Sequence, residues 1–179
     1  MASSFNLKTT LLLTPLVSTT SSLLFAHAQD SFLSYLVHPT VGAANSNAII
    51  PPYWRQFFVP GVTRVLSFLG LTVGSAVGCV CCHGVILKNR GSRAWYLAAA
   101  VLAVSHLAFV PLVAPKIQRM VDDEGGKADA EANTAREGSK SSVQTLNEWL
   151  RWNLVRTWTT DTAAWICAAV AVTKTLSVD

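Results

Sequence analysis

Apolar residues along this chain fall into four long runs separated by short polar or charged breaks. The first covers residues 9–37, TTLLLTPLVSTTSSLLFAHAQDSFLSYLV, leucine-rich and studded with serine and threonine. A helix needs roughly 20 residues to cross a bilayer, and this run supplies them. Two readings fit it. Lys8, the leucine-rich core and the Ala26-His27-Ala28 triplet before Gln29 have the form of a secretory signal peptide. A retained first span is the other reading, supported by the apolar character that resumes at Phe32, Leu33 and Tyr35. The second run extends from Val62 to Ile86 and the third from Ala94 to Val113. The fourth begins at Leu146 with an unusually polar entry and continues to Thr175.

The breaks are equally patterned. Residues 39–60 contain Pro39, Pro51, Pro52 and Pro60 with an Asn/Ser/Gly-rich patch, which predicts a loop ending in the aromatic cluster Tyr53, Trp54, Phe57 and Phe58. Pro111 and Pro115 are expected to kink or end the third helix. Residues 121–142 mix charges with Gly and Ser and have no apolar period, which predicts a solvated, mobile loop. Ser141 or Ser142 then caps the last helix. The pattern predicts an all-α fold: a four-helix transmembrane bundle forming one domain over residues 1–179, with a mobile polar loop before the last helix. Its spans are expected at about 9–37, 62–86, 94–113 and 146–175.

Composition strengthens this picture. The chain is 51% hydrophobic and 13% charged, against roughly 25% charged in average soluble domains, and its mean hydropathy is +0.37. A multi-pass integral membrane protein is expected, in an endomembrane such as the endoplasmic reticulum. The net charge of +4 is small and spread among loops, and no stretch interleaves basic and aromatic residues, so nucleic acid is not an expected partner. The basic turn LKNRGSR, residues 87–93, is expected on the cytoplasmic side, with both termini on that side. Gly70, Gly74 and Gly78 form a small-residue stripe that predicts close helix packing, and a homo-oligomer contact is one use of it.

Cys79, Cys81, Cys82 and His83 raise the question of a metal. Zinc sites pair their ligands, and beyond Cys167 no second pair exists. No metal is expected. The cysteines are read as small apolar residues or as palmitoyl acceptors near the interface.

The chemistry is expected in the fourth run, LNEWLRWNLVRTWTTDTAAW. At helical spacing Trp149, Asn153, Arg156 and Thr160 share one face, and Trp158, Asp161 and Trp165 another. Such a helix is expensive in a membrane unless its polar face looks inward. It is therefore expected to form one wall of an intramembrane pocket, faced by the His27–Tyr35 segment and the Trp54 cluster. His106 lies near the middle of the third run, as an interhelical hydrogen-bonder or a functional group. Asp161 has no role on sequence grounds.

Trp54-Arg55-Gln56-Phe57-Phe58 with Gly61 beyond it resembles the W-x-x-F/Y-x-x-G entry to the second span of the DUF1772 integral membrane family, which includes the fungal anthrone oxygenases of aromatic polyketide clusters. Trp95-Tyr96-Leu97-Ala98-Ala99 through Phe109-Val110-Pro111 to Ile117-Gln118-Arg119-Met120 is similar to that family's third span and its exit. Leu150-Arg151-Trp152-Asn153-Leu154-Val155-Arg156 resembles its final W-x-x-x/N-x-x-R helix. Val110 stands where the family often has Thr, and Gln118 where Asn is common. The resemblance covers roughly residues 50–175 in order. It implies a membrane-embedded oxygenase that oxidises a hydrophobic anthrone-like aromatic to a quinone with O2, without cofactor, metal or flavin.

In the mechanism so implied, Arg156 and Asn153 bind the developing oxyanion. His27 or Asp30 is the general base, with His106 in reserve. Trp54 and Trp152 are stacking walls, and Trp149 and Tyr35 further substrate contacts. Two other classes stay open: a cofactor-free membrane cyclase or isomerase using the same groups, and a non-enzymatic four-span adaptor held by the glycine stripe.

Overall fold

The computed structural model describes residues 6–123 and 141–177. The expected mobile loop at 121–142 lies largely outside the described residues. Among those residues all regular structure is helical. Helix α1 is Leu7–Leu36 and α2 is Ala43–Asn89. The third helix comes in two lengths, α3 (Arg93–Ser105) and α4 (Val110–Asp122), joined by a 3-10 turn at His106–Phe109. The fourth also comes in two lengths, α5 (Ser142–Arg156) and α6 (Thr162–Leu176), joined by a π-helical turn at Thr157–Asp161. Leu7–Leu36, Ala43–Asn89 and Arg93–Asp122 are each long and apolar enough to cross a membrane. The fourth helix, with its polar first half, is not among these spans.

The first group of prolines behaves differently from the expectation. Residues 43–60 are helical rather than a loop, with Pro51, Pro52 and Pro60 inside α2. The real break lies just before, where Gly42 takes φ +81, a left-handed value that glycine adopts without steric cost. Each proline forfeits one N–H, but in an apolar surround the remaining backbone groups have no better partner than the helix itself. Pro111 fits the expected interruption rather than an end: it comes just after the 3-10 turn His106–Phe109 that breaks the third helix in two. It falls in the first turn of α4, where its missing N–H costs nothing, and the helix continues to Asp122. At the start of the fourth helix it is Ser141, of the two serines expected, that caps, and Gln144 adds a second bond. Gln144 N–H donates to Ser141 Oγ at 3.2 Å and Ser141 N–H to Gln144 Oε1 at 3.3 Å, a reciprocal capping box.

The chain divides into two compact units, and each helix contributes a length to both. Unit 1 comprises Met1–Phe25, Val65–Leu107 and Thr157–Asp179. Its core gathers Leu12, Ala76, Cys79, Leu87, Tyr96, Ala100, Ala171 and Val172. Small residues let these helices approach closely, as lipid-embedded helices do, and hydroxyls bond across them. Ser18 and Thr72 meet at 2.7 Å, Thr175 donates to Ser92 at 2.7 Å, and Tyr96 Oη donates to the Leu12 carbonyl at 2.9 Å.

Unit 2 comprises Ala26–Arg64 and Ala108–Arg156. Its core is bulkier: Leu33, Ile50, Trp54, Met120, Leu146 and Trp149. Phe57 lies edge-on to Trp54 at 5.8 Å. A Cβ at Gly61 would come within 3.1 Å of the Phe57 ring, so the glycine makes room for that aromatic. Lys116 and Glu148 pair at 2.5 Å. Arg55 donates to the Val121 and Asp123 carbonyls, both at 2.8 Å, and so ties down the end of α4.

Many large apolar side chains face outward instead of into either core, among them Val85 (76% exposed), Val101 (68%) and Val59 (67%). That is the surface an apolar solvent accommodates. Of the glycine stripe, only Gly78 has a neighbour for an added Cβ, the Leu11 side chain at 3.6 Å. At Gly70 and Gly74 a Cβ would meet nothing within 4 Å. Inside the chain, then, only Gly78 packs.

Candidate active site

Helix α5 buries Ser142, Thr145, Leu146, Trp149, Asn153 and Arg156, one stripe at steps of three, one and four as an amphipathic helix requires. This stripe turns the polar end of the fourth helix into the core of unit 2. Trp149 meets Trp54 edge to face, with ring centroids 5.1 Å apart. One helical turn further, Asn153 is 1% exposed and Arg156 7%. Arg156 Nη2 donates to Asn153 Oδ1 at 2.7 Å. That bond fixes the amide: its oxygen is occupied by the guanidinium, and its NH2 group must look elsewhere for acceptors.

None is found. Asn153 Nδ2, Trp54 Nε1 and Trp149 Nε1 are all buried without a hydrogen-bond partner among the described residues. An unpaired buried donor costs on the order of 1–3 kcal/mol, and here three such donors and a cation belong to one small core. Every one of these groups donates. The set is therefore suited to an acceptor-rich or negatively charged oxygen.

Unit 1 carries a second polar centre. His106, in the 3-10 turn, and Asp161, the last residue of the π turn, pair through Nδ1 and Oδ1 at 2.9 Å with side chains 6% and 5% exposed. Asp161 also lines a cavity of about 10 Å³ with Thr19, Ser22, Leu69, Thr72, Ala103 and Ala164, room for about one water. Among the described residues His106, Asp161 and Arg156 are buried, as are the Cys79 thiol and the Tyr96 phenol of the unit 1 core.

The π turn explains how Asp161 comes to be buried. The inward residues of α6 are Ala164, Ala168, Ala171, Val172 and Thr175, a stripe that Asp161 begins three residues earlier. The last inward residue of α5 is Arg156, five positions before Asp161. An α-helix advances inward residues by three or four, and the π turn absorbs the extra one, so each stripe keeps facing its own core. The expected second face is corrected accordingly. Asp161 is buried while Trp158 is 71% and Trp165 37% exposed, so the three do not share a face.

The remaining sequence candidates are spread differently. His27 is exposed and Asp30 half-buried. Tyr35 is 66% exposed, and Leu33 rather than Tyr35 packs with Trp54 and Trp149. Trp152 is 37% exposed. It lines an open groove of about 400 Å³ with Glu148, Arg151 and Val155, on the side of α5 away from Asn153. Unit 2 thus brings together Trp54, Trp149, Asn153 and Arg156 in its core and leaves His27, Tyr35 and Trp152 at its surface. Of the cysteines, Cys79 is buried and donates to the Leu11 carbonyl at 3.2 Å, whereas Cys81 and Cys82 are exposed. The backbone of α2 leaves helical geometry at His83, with φ −128 and ψ 21. Sequence reasoning offered Arg156 as a partner for Asp161 and did not find His106, which lies 55 residues away. The signal it did offer was the cost of a carboxylate in an apolar run.

Regular structure that is all helical among the described residues, with three helices long and apolar enough to cross a membrane, fits a helical integral membrane protein. Residues 54–167 match the family model described as Anthrone oxygenase, and the chain belongs to that family. The match takes in Trp54, His106, Trp149, Asn153, Arg156 and Asp161, and starts after His27, Asp30 and Tyr35. The chain is also similar to "Epoxidase pydX" of Acremonium sp, at 24% identity over 173 residues that make up 92% of this chain and 93% of that protein. No solved structure matches it. Both names describe oxygen chemistry, and at family level the chain is of the oxygenase type.

Proposed function

We propose that the protein is a membrane-embedded, cofactor-independent oxygenase of secondary metabolism that oxidises an anthrone-like substrate of aromatic polyketide origin to a quinone with O2. The observation that carries this reading is the donor set in unit 2: Asn153 Nδ2, Trp54 Nε1 and Trp149 Nε1 without partners, and Arg156 on the Asn153 oxygen. An anthrone has a CH2 flanked by two aromatic rings and opposite a ketone. Removing one proton gives an anion delocalised onto the ketone oxygen, which donors waiting in a dry core stabilise more than the neutral ketone. The indole faces of Trp54 and Trp149 suit a flat aromatic body.

The stoichiometry closes without a further reductant. One proton leaves the CH2, and the carbanion passes an electron to O2. The radical pair joins as a C–O bond, and the peroxide takes up a proton. Loss of the second C–H proton with hydroxide then gives the new C=O and one water. The substrate carbon is oxidised by four electrons and O2 is reduced by four. An endoplasmic reticulum location fits a greasy substrate partitioning into the bilayer.

Microsomes carrying the full chain, given an anthrone, test the reaction class. The expected result is quinone formation with one O2 consumed per quinone, above the rate in microsomes lacking the protein. Product without O2 uptake would place the protein with the cyclases or isomerases. No product at all would leave the adaptor reading in possession.

A further inference from the structure

We propose that unit 1 is completed by one buried water molecule, which joins Asp161 to Ser22 and the threonines of the first two helices. The inference concerns unit 1 alone and does not depend on the oxygenase reading. Thr19, Ser22, Thr72 and Asp161 supply the polar lining of a cavity of about 10 Å³, and all four belong to that unit. The volume suits about one water and is too small for an organic ligand.

Counting hydrogens at this cavity decides what fits it. Thr19 Oγ1 donates to the Pro15 carbonyl at 2.8 Å, and Thr72 Oγ1 to the Phe68 carbonyl at 2.9 Å. A hydroxyl has one hydrogen, so both threonines have only lone pairs left to offer. Ser18 meets Thr72 at 2.7 Å and takes one of these. Asp161 Oδ1 is met by His106 Nδ1 at 2.9 Å, and the carboxylate keeps further lone pairs. Ser22 is half-buried, and its hydroxyl makes no hydrogen bond among the described residues. It therefore has a hydrogen to give. A water here donates to Asp161 and to a threonine oxygen and accepts from Ser22. That makes three bonds, the usual number for a buried water. A cation of the same size would suit the lone pairs but leave the Ser22 hydrogen without an acceptor.

The site joins separate elements. Thr19 and Ser22 lie on α1 and Thr72 on α2, while Asp161 ends the π turn of the fourth helix. Through His106 the link extends to the 3-10 turn of the third. A polar group inside lipid has no solvent to turn to, so the shared water holds these four elements in one register. It also adds a bond to a buried carboxylate beyond those from His106 and Thr160, which lowers the cost of burying it.

The methyl groups of Ala103 and Ala164 line the same cavity and allow the water to be read. The full chain with 13C-labelled alanine methyls, in perdeuterated detergent, is followed by NMR for cross-relaxation with water. Cross-peaks with the sign of a long-lived complex are expected at Ala103 and Ala164 and not at Ala168, which is equally buried in unit 1. Ser22→Val removes the donor and fills the space. It is expected to abolish both cross-peaks and to lower the unfolding temperature by about 2–4 °C, the scale of one lost hydrogen bond in a chain of this size. Wild-type protein without cross-peaks at Ala103 and Ala164 would overturn the proposal, whether or not the variant folds. A shift of either methyl resonance when sodium chloride replaces choline chloride would show a cation in the site and would overturn it too.

Discussion

Unit 1 and unit 2 use the same four helices with opposite materials. In unit 1 the helices meet through alanines and a cysteine, and hydroxyls such as Ser18 and Thr72 bond across the gaps. The core of unit 2 is built from bulkier side chains, Trp54, Trp149, Met120 and Leu146, with Arg156 and Asn153 buried on the same stripe as Trp149. The first is how helices associate in lipid, where apolar contact alone brings no gain and close approach must supply it. The second leaves unfinished business: of the four buried side-chain atoms lacking a partner among the described residues, unit 2 holds Trp54 Nε1, Trp149 Nε1 and Asn153 Nδ2, and unit 1 only Thr157 Oγ1. These unpaired donors are what the proposed function rests on.

The contrast can be broken most severely at Trp149. Trp149→Ala removes a side chain 4% exposed and is expected to cost about 3 kcal/mol or more, seen as a lower unfolding temperature in detergent. Trp149→Phe keeps most of the ring and deletes only the N–H. It is expected to hold stability while turnover falls about tenfold, and equal turnover would remove the indole from the donor set. In unit 1 the sensitive direction is reversed, toward larger side chains. Ala168, 0% exposed, is expected to tolerate Leu poorly, losing about 1–3 kcal/mol through overpacking, again read as an unfolding temperature. Gly74→Leu is the smallest effect. With nothing within 4 Å of an added Cβ, the isolated chain is expected to keep its stability within about 0.5 kcal/mol. A drop in cross-linked dimer in the same variant would show that the stripe serves a second copy.

Much of this was legible in the sequence. The apolar runs marked four helices because hydropathy over twenty residues is a strong signal, and a serine at 141 or 142 marked the start of the last one. The inward stripe of Trp149, Asn153 and Arg156 followed from helical spacing and from the cost of exposing Arg156 to lipid. What failed were places where medium or register overrode a local rule. Pro51, Pro52 and Pro60 read as a loop because proline breaks helices in water, where a freed carbonyl finds a solvent partner. Asp161 was placed with Trp158 and Trp165 because a regular 3.6-residue period was assumed across the π turn. Its pairing with His106 depends on how the third and fourth helices pack, which a single sequence does not encode locally.

The claim that unit 2 stabilises a developing oxyanion is tested most directly by the kinetics of Arg156→Ala on an anthrone in microsomes under O2. An interaction made mainly in the transition state lowers kcat and leaves KM nearly alone. The account predicts a fall in kcat of about 100-fold or more, the scale of a lost oxyanion donor, with KM within about threefold. A variant that forms quinone at the wild-type kcat would contradict it.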